Sequence, residues 1–248
     1  MKNLMLQNKR ALVTGGSRGI GAAIVKRLAH EGADVALTYV SKPDQANETV
    51  KAAQAFGVRA LAIQADSADA EAVMAAVERT VEEFGGIDIL VNNAGIAVMA
   101  PIDDYRLEDF DRMVAVNLRA VFVATQAAVQ HMKTGGRIIN IGSCNADRIP
   151  FAGGSVYAMS KAALVGLVKG LARDLGPRGI TINNVQPGPT DTDMNPAKGD
   201  FAEMLRKVMA VPRYGTVGEI AAMVAYLAGT EAGFITGASL TIDGGFTA

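Results

Sequence analysis

The chain has 248 residues, of which half are apolar and a fifth are charged, and its formal net charge is −1. This composition is typical of a soluble globular domain, and a chain of this length buries enough surface to fold without a disulfide or a metal. The near-zero net charge argues against a nucleic-acid-binding protein. Cys144 is the only cysteine, no signal peptide is evident, and no segment approaches about 20 apolar residues. We therefore expect a cytoplasmic protein with no membrane partner.

Short apolar runs rich in β-forming residues alternate with longer helical patterns from end to end. This alternation predicts βαβ units in an α/β Rossmann fold, with a doubly wound, seven-stranded parallel sheet and helices on both faces. No linker divides the chain, so we expect one domain over residues 1–248. The predicted strands are Ala11–Thr14, Val35–Tyr39, Ala60–Gln64, Ile87–Asn92, Arg137–Ile141, Thr181–Val185 and Ser239–Ile242. The predicted helices are Ile20–His30, Gln45–Phe56, Ala70–Phe84, Leu107–Met132, Tyr157–Leu175 and Gly218–Ala228.

One stretch breaks this regular pattern. Four prolines interrupt residues Gln186–Tyr214, and a long irregular stretch inside a compact domain is usually a lid or a binding loop. We interpret it as a substrate-binding insertion, with a plain surface insertion as the alternative.

A glycine-rich turn joins the first strand to the first helix. Glycine allows a close approach of the backbone to a phosphate, and a helix N-terminus offers free N–H groups and a partial positive charge. The position of this turn predicts a dinucleotide site, although its G-x-x-x-G-x-G spacing differs from the G-x-G-x-x-G of longer-chain dehydrogenases. The residues concerned are Gly15, Ser17, Arg18, Gly19, Ile20 and Gly21.

The end of the second strand favours NADP(H) over NAD(H). An acidic residue usually binds the NAD ribose at this position, but this chain has Tyr39, Ser41 and Lys42 there, and its first acid is Asp44. Ser41, Lys42 and Arg18 could bind a 2′-phosphate, which a carboxylate would repel.

Tyr157 and Lys161 lie four residues apart in a predicted helix, so they share one face. A nearby ammonium lowers the pKa of a phenol, which makes Tyr157 a candidate general acid or base. Ser143, at the end of the fifth strand, lies where open α/β sheets bind ligands. Ser155 is a competing hydroxyl, but it lies on a poor helical face to join Tyr157.

These motifs occur in the order and approximate spacing of the short-chain dehydrogenase/reductase family, which the chain resembles over residues 8–248. The Ser143–Tyr157 gap is one residue longer than the family's commonest spacing. The motifs are Thr14-Gly15-x-x-x-Gly19-x-Gly21, Asn92-Asn93-Ala94-Gly95, Asn117, Ser143, Tyr157-x-x-x-Lys161, Pro187-Gly188, Thr236-Gly237 and Asp243-Gly244-Gly245.

The resemblance implies a role for each matching position. Asn117, Ser143, Tyr157 and Lys161 would form the catalytic set, with Asn117 holding a water that links Lys161 to solvent. For Asn117 alone, a buried structural asparagine is the alternative. Tyr157 and Lys161 would also contact the cofactor. The other cofactor contacts implied are Asn93, Ala94 and Gly95 at the adenosine ribose, Asp66 and Ser67 at the adenine, and Pro187, Gly188, Thr190 and Thr192 at the nicotinamide.

The substrate is less well defined by the sequence. The candidate pocket walls are mostly apolar, which favours a neutral ketone or thioester, and Cys144 is interpreted as a wall rather than a nucleophile. We expect NADPH-dependent reduction of a ketone to a secondary alcohol, with no metal. The walls are Cys144, Asn145, Ile149, Phe151, Met194 and the helix Phe201–Met209.

Two narrower resemblances give alternative functions. The general pattern is also similar to 3-oxoacyl-acyl-carrier-protein reductases, whose acidic carrier docks on basic residues, for which Lys133, Arg173 and Arg178 are the candidates here. Residues 142–148 and 186–193 resemble a subgroup described as cyclic-di-GMP-binding biofilm-dispersal proteins, which suggests a regulator on the same fold.

Small residues are frequent in the helices Tyr157–Leu175 and Leu107–Met132. They permit close approach of helices, and the family resemblance implies a homotetramer, a dimer of dimers. The alternative is that both faces simply pack on the sheet.

Overall fold

A computed structural model describes residues 4–248, and these form one seven-stranded sheet in the order β3-β2-β1-β4-β5-β6-β7. All six strand pairs are parallel, so the predicted doubly wound fold is confirmed. The strands are β1 (Arg10–Val13), β2 (Asp34–Tyr39), β3 (Ala60–Gln64), β4 (Ile89–Asn92), β5 (Arg137–Ile141), β6 (Thr181–Pro187) and β7 (Ser239–Ile242). The helices are α1 (Gly19–His30), α2 (Pro43–Gln54), α3 (Ala70–Phe84), α4 (Leu107–Val114), α5 (Ala120–His131), α6 (Ser155–Leu175), α7 (Asp200–Arg206) and α8 (Val217–Ala228).

Two apolar layers hold the helices against the sheet. The central strands are buried on both faces, so they consist of continuous apolar runs rather than alternating ones. One layer contains α1 and α8 with side chains such as Val13 and Val91, and the other contains α3, α5 and α6 with Leu12, Leu90 and Ile138. Successive strands are added in one direction from β1 to β3 and in the opposite direction from β4 to β7, and a crevice therefore opens between the carboxyl ends of β1 and β4.

Local signals account for the clearest helix starts. Asp69 caps α3 by accepting hydrogen bonds from the N–H groups of Glu71 and Ala72, at 2.9 and 3.2 Å. At the start of α8, Thr216 and Glu219 form a reciprocal capping box.

The predicted helix Leu107–Met132 is not one α-helix. A π-helical segment, Ala115–Arg119, separates α4 from α5. Asn117 lies in the middle of this segment and is 1% exposed. Its amide bonds to backbone atoms of another loop, described below, and π-helical segments occur frequently at functional sites.

Two stretches meet the length and composition of a membrane span, contrary to the sequence expectation. They are Leu107–His131 and Ser155–Arg178, and 56% and 28% of their respective apolar windows are buried. Each lies in a helical layer that packs on the sheet, as expected of core helices.

The proline-rich insertion carries a short helix and a small third core. α7 has seven residues, two fewer than the predicted helix Phe201–Met209, because the chain leaves the helix near Lys207. Phe246, 1% exposed, packs under α7 with Cys144, Leu205 and Tyr214. The C-terminal segment therefore anchors the insertion to the body of the domain.

Candidate active site

One cleft of about 980 Å³ opens at the carboxyl ends of the strands. It runs from the glycine-rich turn to the insertion at α7, so it is long enough for a dinucleotide and a second small molecule. Among the residues that line it are all the predicted cofactor contacts and three of the four predicted catalytic side chains: Gly15, Ser17, Arg18, Gly19, Ile20, Gly21, Tyr39, Ser41, Lys42, Asp66, Ser67, Asn93, Ala94, Gly95, Ser143, Tyr157, Lys161, Pro187, Gly188, Thr190 and Thr192.

The glycine-rich turn is shaped for an anion. Gly15 has φ +63°, and its N–H donates to the Thr38 hydroxyl at 2.9 Å. A Cβ on Gly21 would lie 2.2 Å from the Gly15 oxygen, so no larger residue fits there. No side chain caps the start of α1, which leaves its first N–H groups free for a phosphate.

The second-strand end suits a 2′-phosphate. Ser41 and Lys42 are exposed at the cleft, and Asp44 lies beyond them in the first turn of α2.

Asp66, which also lines the cleft, accepts hydrogen bonds from the Ala68 N–H at 2.9 Å and from Arg112 at 3.2 Å. These bonds, chiefly the backbone one, lower the pKa of Asp66 and keep it ionised.

A hydroxyl fixes the turn after β4. Thr14 accepts hydrogen bonds from the N–H groups of Asn93 and Ala94, both at 3.0 Å. The Asn93 amide in turn donates to the carbonyls of Thr14 and Gly15, at 2.9 and 3.0 Å. The motif by itself assigns Thr14 no role, and its position directly before the glycines is the sequence signal for this one.

Ser143 is oriented by its own turn. It caps a 3₁₀ turn, Cys144–Ala146, and its Oγ accepts a hydrogen bond from the Asn145 N–H at 3.1 Å. Since that bond uses the oxygen as acceptor, the hydroxyl proton remains free to donate into the cleft.

Lys161 and Tyr157 lie close together, but the pKa of Tyr157 differs from the sequence prediction. The Lys161 ammonium lies 5.7 Å from the Tyr157 ring centroid and donates to the Ile141 carbonyl at 2.9 Å. Burial lowers the pKa of Lys161 to about 8. The pKa of Tyr157 is raised, because burial outweighs the hydrogen bond from Ser143 that lowers it. The expected lowering of the Tyr157 pKa by Lys161 is therefore wrong for the chain by itself, and Tyr157 is held as the protonated acid.

Asn117 lies behind this group and does not line the cleft. Its Oδ1 accepts from the Ile96 N–H at 2.9 Å, and its Nδ2 donates to the Ile96 carbonyl and the Ser160 Oγ, both at 3.0 Å. Asn117 Oδ1 and Lys161 Nζ each lie 3.4 Å from the position a Cβ would take on Gly95. Ser160 is fully buried and donates to the Tyr157 carbonyl at 2.7 Å. Sequence reasoning missed Ser160, which has no motif of its own.

The substrate end of the cleft is apolar. Cys144, Asn145, Phe151, Met194 and Phe201 line it, together with Leu205 and Phe246. Phe151 and Phe201 meet edge to face with centroids 5.5 Å apart. Burial raises the pKa of the Cys144 thiol to about 12, so this cysteine is a wall and not a nucleophile.

Two expectations about the substrate end are wrong. Ile149 is not among the residues that line the cleft and lies against Gly154, and Met209 lies in the core beneath α7.

The basic residues proposed for a carrier lie elsewhere. Lys133 precedes β5, Arg173 lies in the last turn of α6, and Arg178 lies in the 3₁₀ turn between α6 and β6, so all three are at the amino-terminal edge of the sheet. α6 has 21 residues and is therefore about 30 Å long. These residues do not flank the cleft of their own chain.

Comparison with known proteins defines the family. A family model described as enoyl-(acyl carrier protein) reductase matches residues 15–247. The cyclic-di-GMP-binding biofilm dispersal mediator protein of Escherichia coli is 51% identical, over 97% of this chain and 98% of that protein. A short-chain dehydrogenase/reductase from Serratia marcescens superimposes with a TM-score of 0.97 at 62% identity, covering 98% of this chain and 100% of that one. A short chain dehydrogenase from Burkholderia cenocepacia, solved in complex with NADP, gives 0.97 at 59% identity with the same coverage.

The chain belongs to the short-chain dehydrogenase/reductase family, a family of oxidoreductases, and the resemblance of its motifs is confirmed. The NADP in the Burkholderia structure agrees with the cofactor predicted from the end of β2.

Proposed function

We propose that the protein reduces a neutral ketone to a secondary alcohol with NADPH, reversibly. The observation that carries the proposal is the meeting of a protonated Tyr157, an outward-directed Ser143 hydroxyl and a buried Lys161 on one wall of the cleft. The apolar walls at this end carry no cationic cluster for an acid or a phosphate, which favours an uncharged substrate.

The chain's own residues supply the polar chemistry. Ser143 donates a hydrogen bond to the carbonyl oxygen, and Tyr157 gives that oxygen its proton as negative charge develops. Lys161 supplies positive charge close to the Tyr157 ring, and Asn117 holds the backbone beside Lys161 in place. When bound, the reduced nicotinamide supplies the hydride. Phe151, Phe201 and their neighbours exclude water from the reacting carbon.

The mutation Tyr157→Phe tests this assignment. It removes only the proton donor, so we expect kcat to fall by at least about 100-fold, the usual scale of general acid catalysis, while the Kd for NADPH stays near wild type. Turnover on a ketone panel and NADPH fluorescence titration measure the two quantities. Wild-type kcat in the variant would refute the proposed function.

The mutation Lys42→Ala tests the choice of NADP(H). If Lys42 binds the 2′-phosphate, its loss should raise the KM for NADPH by roughly tenfold and leave that for NADH unchanged. Lys51→Ala, an exposed change later in α2, is the matched control. Equal effects on both cofactors would contradict the assignment.

A 3-oxoacyl-acyl-carrier-protein substrate is the nearest alternative, and it is supported by a 3-oxoacyl-[acyl-carrier-protein] reductase of Staphylococcus aureus that is 39% identical over 97% of this chain. A free ketone and a carrier-bound thioester would use the same catalytic residues. Measuring kcat/KM for a short 3-oxoacyl thioester, first free and then attached to its carrier protein, distinguishes them. If the carrier-bound thioester is the substrate, kcat/KM should be higher for the attached form.

A cyclic-di-GMP-binding regulator is the second candidate, supported by the 51% identity to the cyclic-di-GMP-binding protein of Escherichia coli. If cyclic-di-GMP occupies the dinucleotide cleft, NADPH should compete with it in calorimetry. Micromolar binding with no turnover on any carbonyl would favour the regulator over the reductase.

We also propose a cytoplasmic homotetramer, a dimer of dimers. The support is the outer face of α6, where Met159 is 40% exposed and a Cβ on Gly166 or Gly170 would meet nothing within 4 Å. Two glycines weaken an exposed helix unless something approaches it closely. Light scattering measures the mass.

A further inference from the structure

Gln186 has no role in the chemistry described above, yet its side chain reaches the catalytic serine. It lies in β6, is 1% exposed, and directly precedes Pro187 and Gly188 in the cleft wall. Its Nε2 donates to the Ser143 carbonyl and to the Asp147 carboxylate, both at 3.2 Å. Both hydrogens of one amide nitrogen are therefore committed to the turn that carries Ser143.

The strand pairing explains why this link is needed. The ladder between β5 and β6 ends at Ile141 and Val185, with a last backbone bond from the Gly142 N–H to the Val185 carbonyl at 2.7 Å. One residue later the chain leaves the strand for the 3₁₀ turn, so backbone pairing no longer holds Ser143. The Gln186 side chain continues the connection between the two strands at this point.

The Ser143 carbonyl is then fully engaged. It accepts from Gln186 and from the Ala146 N–H at 3.0 Å, while the Ser143 Oγ accepts from Asn145. With the carbonyl engaged and the hydroxyl oxygen accepting from Asn145, the hydroxyl proton remains free to donate into the cleft that Ser143 lines. Asp147 accepts from the same Gln186 nitrogen and so selects which end of the amide faces Ser143.

We propose that Gln186 is a positioning residue that, oriented by Asp147, holds the Ser143 hydroxyl against Tyr157 and the substrate carbonyl. This inference rests on the proposed reductase function for its kinetic test but not for its spectroscopic one. Gln186 touches neither substrate nor the Tyr157 hydroxyl, so its effect on the reaction passes through Ser143.

The mutation Gln186→Leu keeps a similar volume and removes both donors. We expect kcat to fall by about 5- to 20-fold, the scale of one or two lost hydrogen bonds, with the Kd for NADPH within about twofold of wild type. Gln130→Leu, an exposed change on α5, should leave both unchanged. Wild-type kcat in Gln186→Leu, or an equal loss of NADPH binding, would overturn the proposal.

A titration separates this role from a purely structural one and needs no turnover. Since the Ser143 hydrogen bond lowers the pKa of Tyr157, a displaced Ser143 should raise that pKa further. Ultraviolet titration of the phenol, with the Tyr157→Phe spectrum subtracted, measures it in wild type and in Gln186→Leu. An unchanged Tyr157 pKa refutes the positioning role, whereas a wild type that reduces no ketone refutes only the proposed function.

A double-mutant cycle tests the part played by Asp147. If Asp147 acts through Gln186, Asp147→Ala should lower kcat in the wild-type background and have no further effect in Gln186→Leu. Independent, multiplicative losses would show that Asp147 does not orient Gln186.

Discussion

Lys161 is a buried amine, 5% exposed, with one backbone carbonyl as its hydrogen-bond partner. Burial disfavours its charged form and lowers its pKa from 10.5 to about 8. The residue is therefore charged at neutral pH but loses its proton in a range where an exposed lysine would keep it. A catalytic site that uses the positive charge of Lys161 therefore has an upper pH limit near this pKa.

Activity and stability should respond to this titration in opposite directions. As pH rises through about 8, Lys161 loses its charge, so kcat/KM for ketone reduction should fall. Between pH 8 and 10.5 the unfolded chain binds more protons at this residue than the folded one, so its contribution to the free energy of unfolding should rise.

Rate profiles from pH 6 to 10 and urea unfolding of wild type against Lys161→Met measure the two effects. A flat rate profile to pH 10 would contradict the lowered pKa. The lowered pKa would also be contradicted if the difference in free energy of unfolding between wild type and Lys161→Met fell between pH 8 and 10.5.

At the scale of elements, the side chain of Asn117 connects the π-helical segment Ala115–Arg119 to two neighbouring parts of the fold. Asn117 bonds to both backbone groups of Ile96 and to Ser160, so it joins this segment to the loop after β4 and to α6. The backbone of the segment keeps hydrogen bonds of its own, with the Ala120 N–H donating to the Ala115 carbonyl five residues earlier.

The mutation Asn117→Ala should lower the free energy of unfolding by about 1–3 kcal/mol, because buried backbone groups lose their partners. It should also lower kcat, since Lys161 and Asn117 both lie beside Gly95. Gln126→Ala, an exposed change on α5, is the control and should alter neither. Urea denaturation and steady-state kinetics check this, and an Asn117→Ala variant as stable as the control would contradict it.

The sequence predicted the elements well where apolar periodicity is strong, as in β2, β3 and β5, whose bounds match or differ by one residue. It failed at Leu107–Met132, because a π-helical segment keeps an apolar pattern that is similar to that of an α-helix. It also missed Ser160 and Gln186, whose roles depend on which strands and helices meet in space. The pKa of Tyr157 was mispredicted because burial depends on the whole fold, while charge spacing is visible in the sequence.

At the scale of the whole molecule, a substitution on the outer face of α6 tests whether the protein assembles through that face. In a monomer, Gly166→Leu should raise the free energy of unfolding by roughly 0.5–1 kcal/mol, because leucine favours a helix and meets no neighbour there. In a tetramer that packs on this face, the same change should dissociate the assembly.

Light scattering and thermal melts at several protein concentrations distinguish the two, since the melting temperature of an assembly depends on concentration. Ala75→Arg, an exposed change on α3, should leave the mass unchanged. A Gly166→Leu variant with the wild-type mass would contradict assembly through α6.

The π-helical segment also constrains which length changes the gene can tolerate. It contains about one residue more than an α-helical path of the same height, so a single-residue deletion at Leu118 could restore an unbroken helix. That deletion would leave the later residues of α5, such as buried Ala124 and Ala128, facing the sheet, whereas a one-residue deletion within α5 would rotate every residue after it by about 100°. A one-residue deletion at Leu118 should therefore lower the free energy of unfolding less than a one-residue deletion at Val123, within α5.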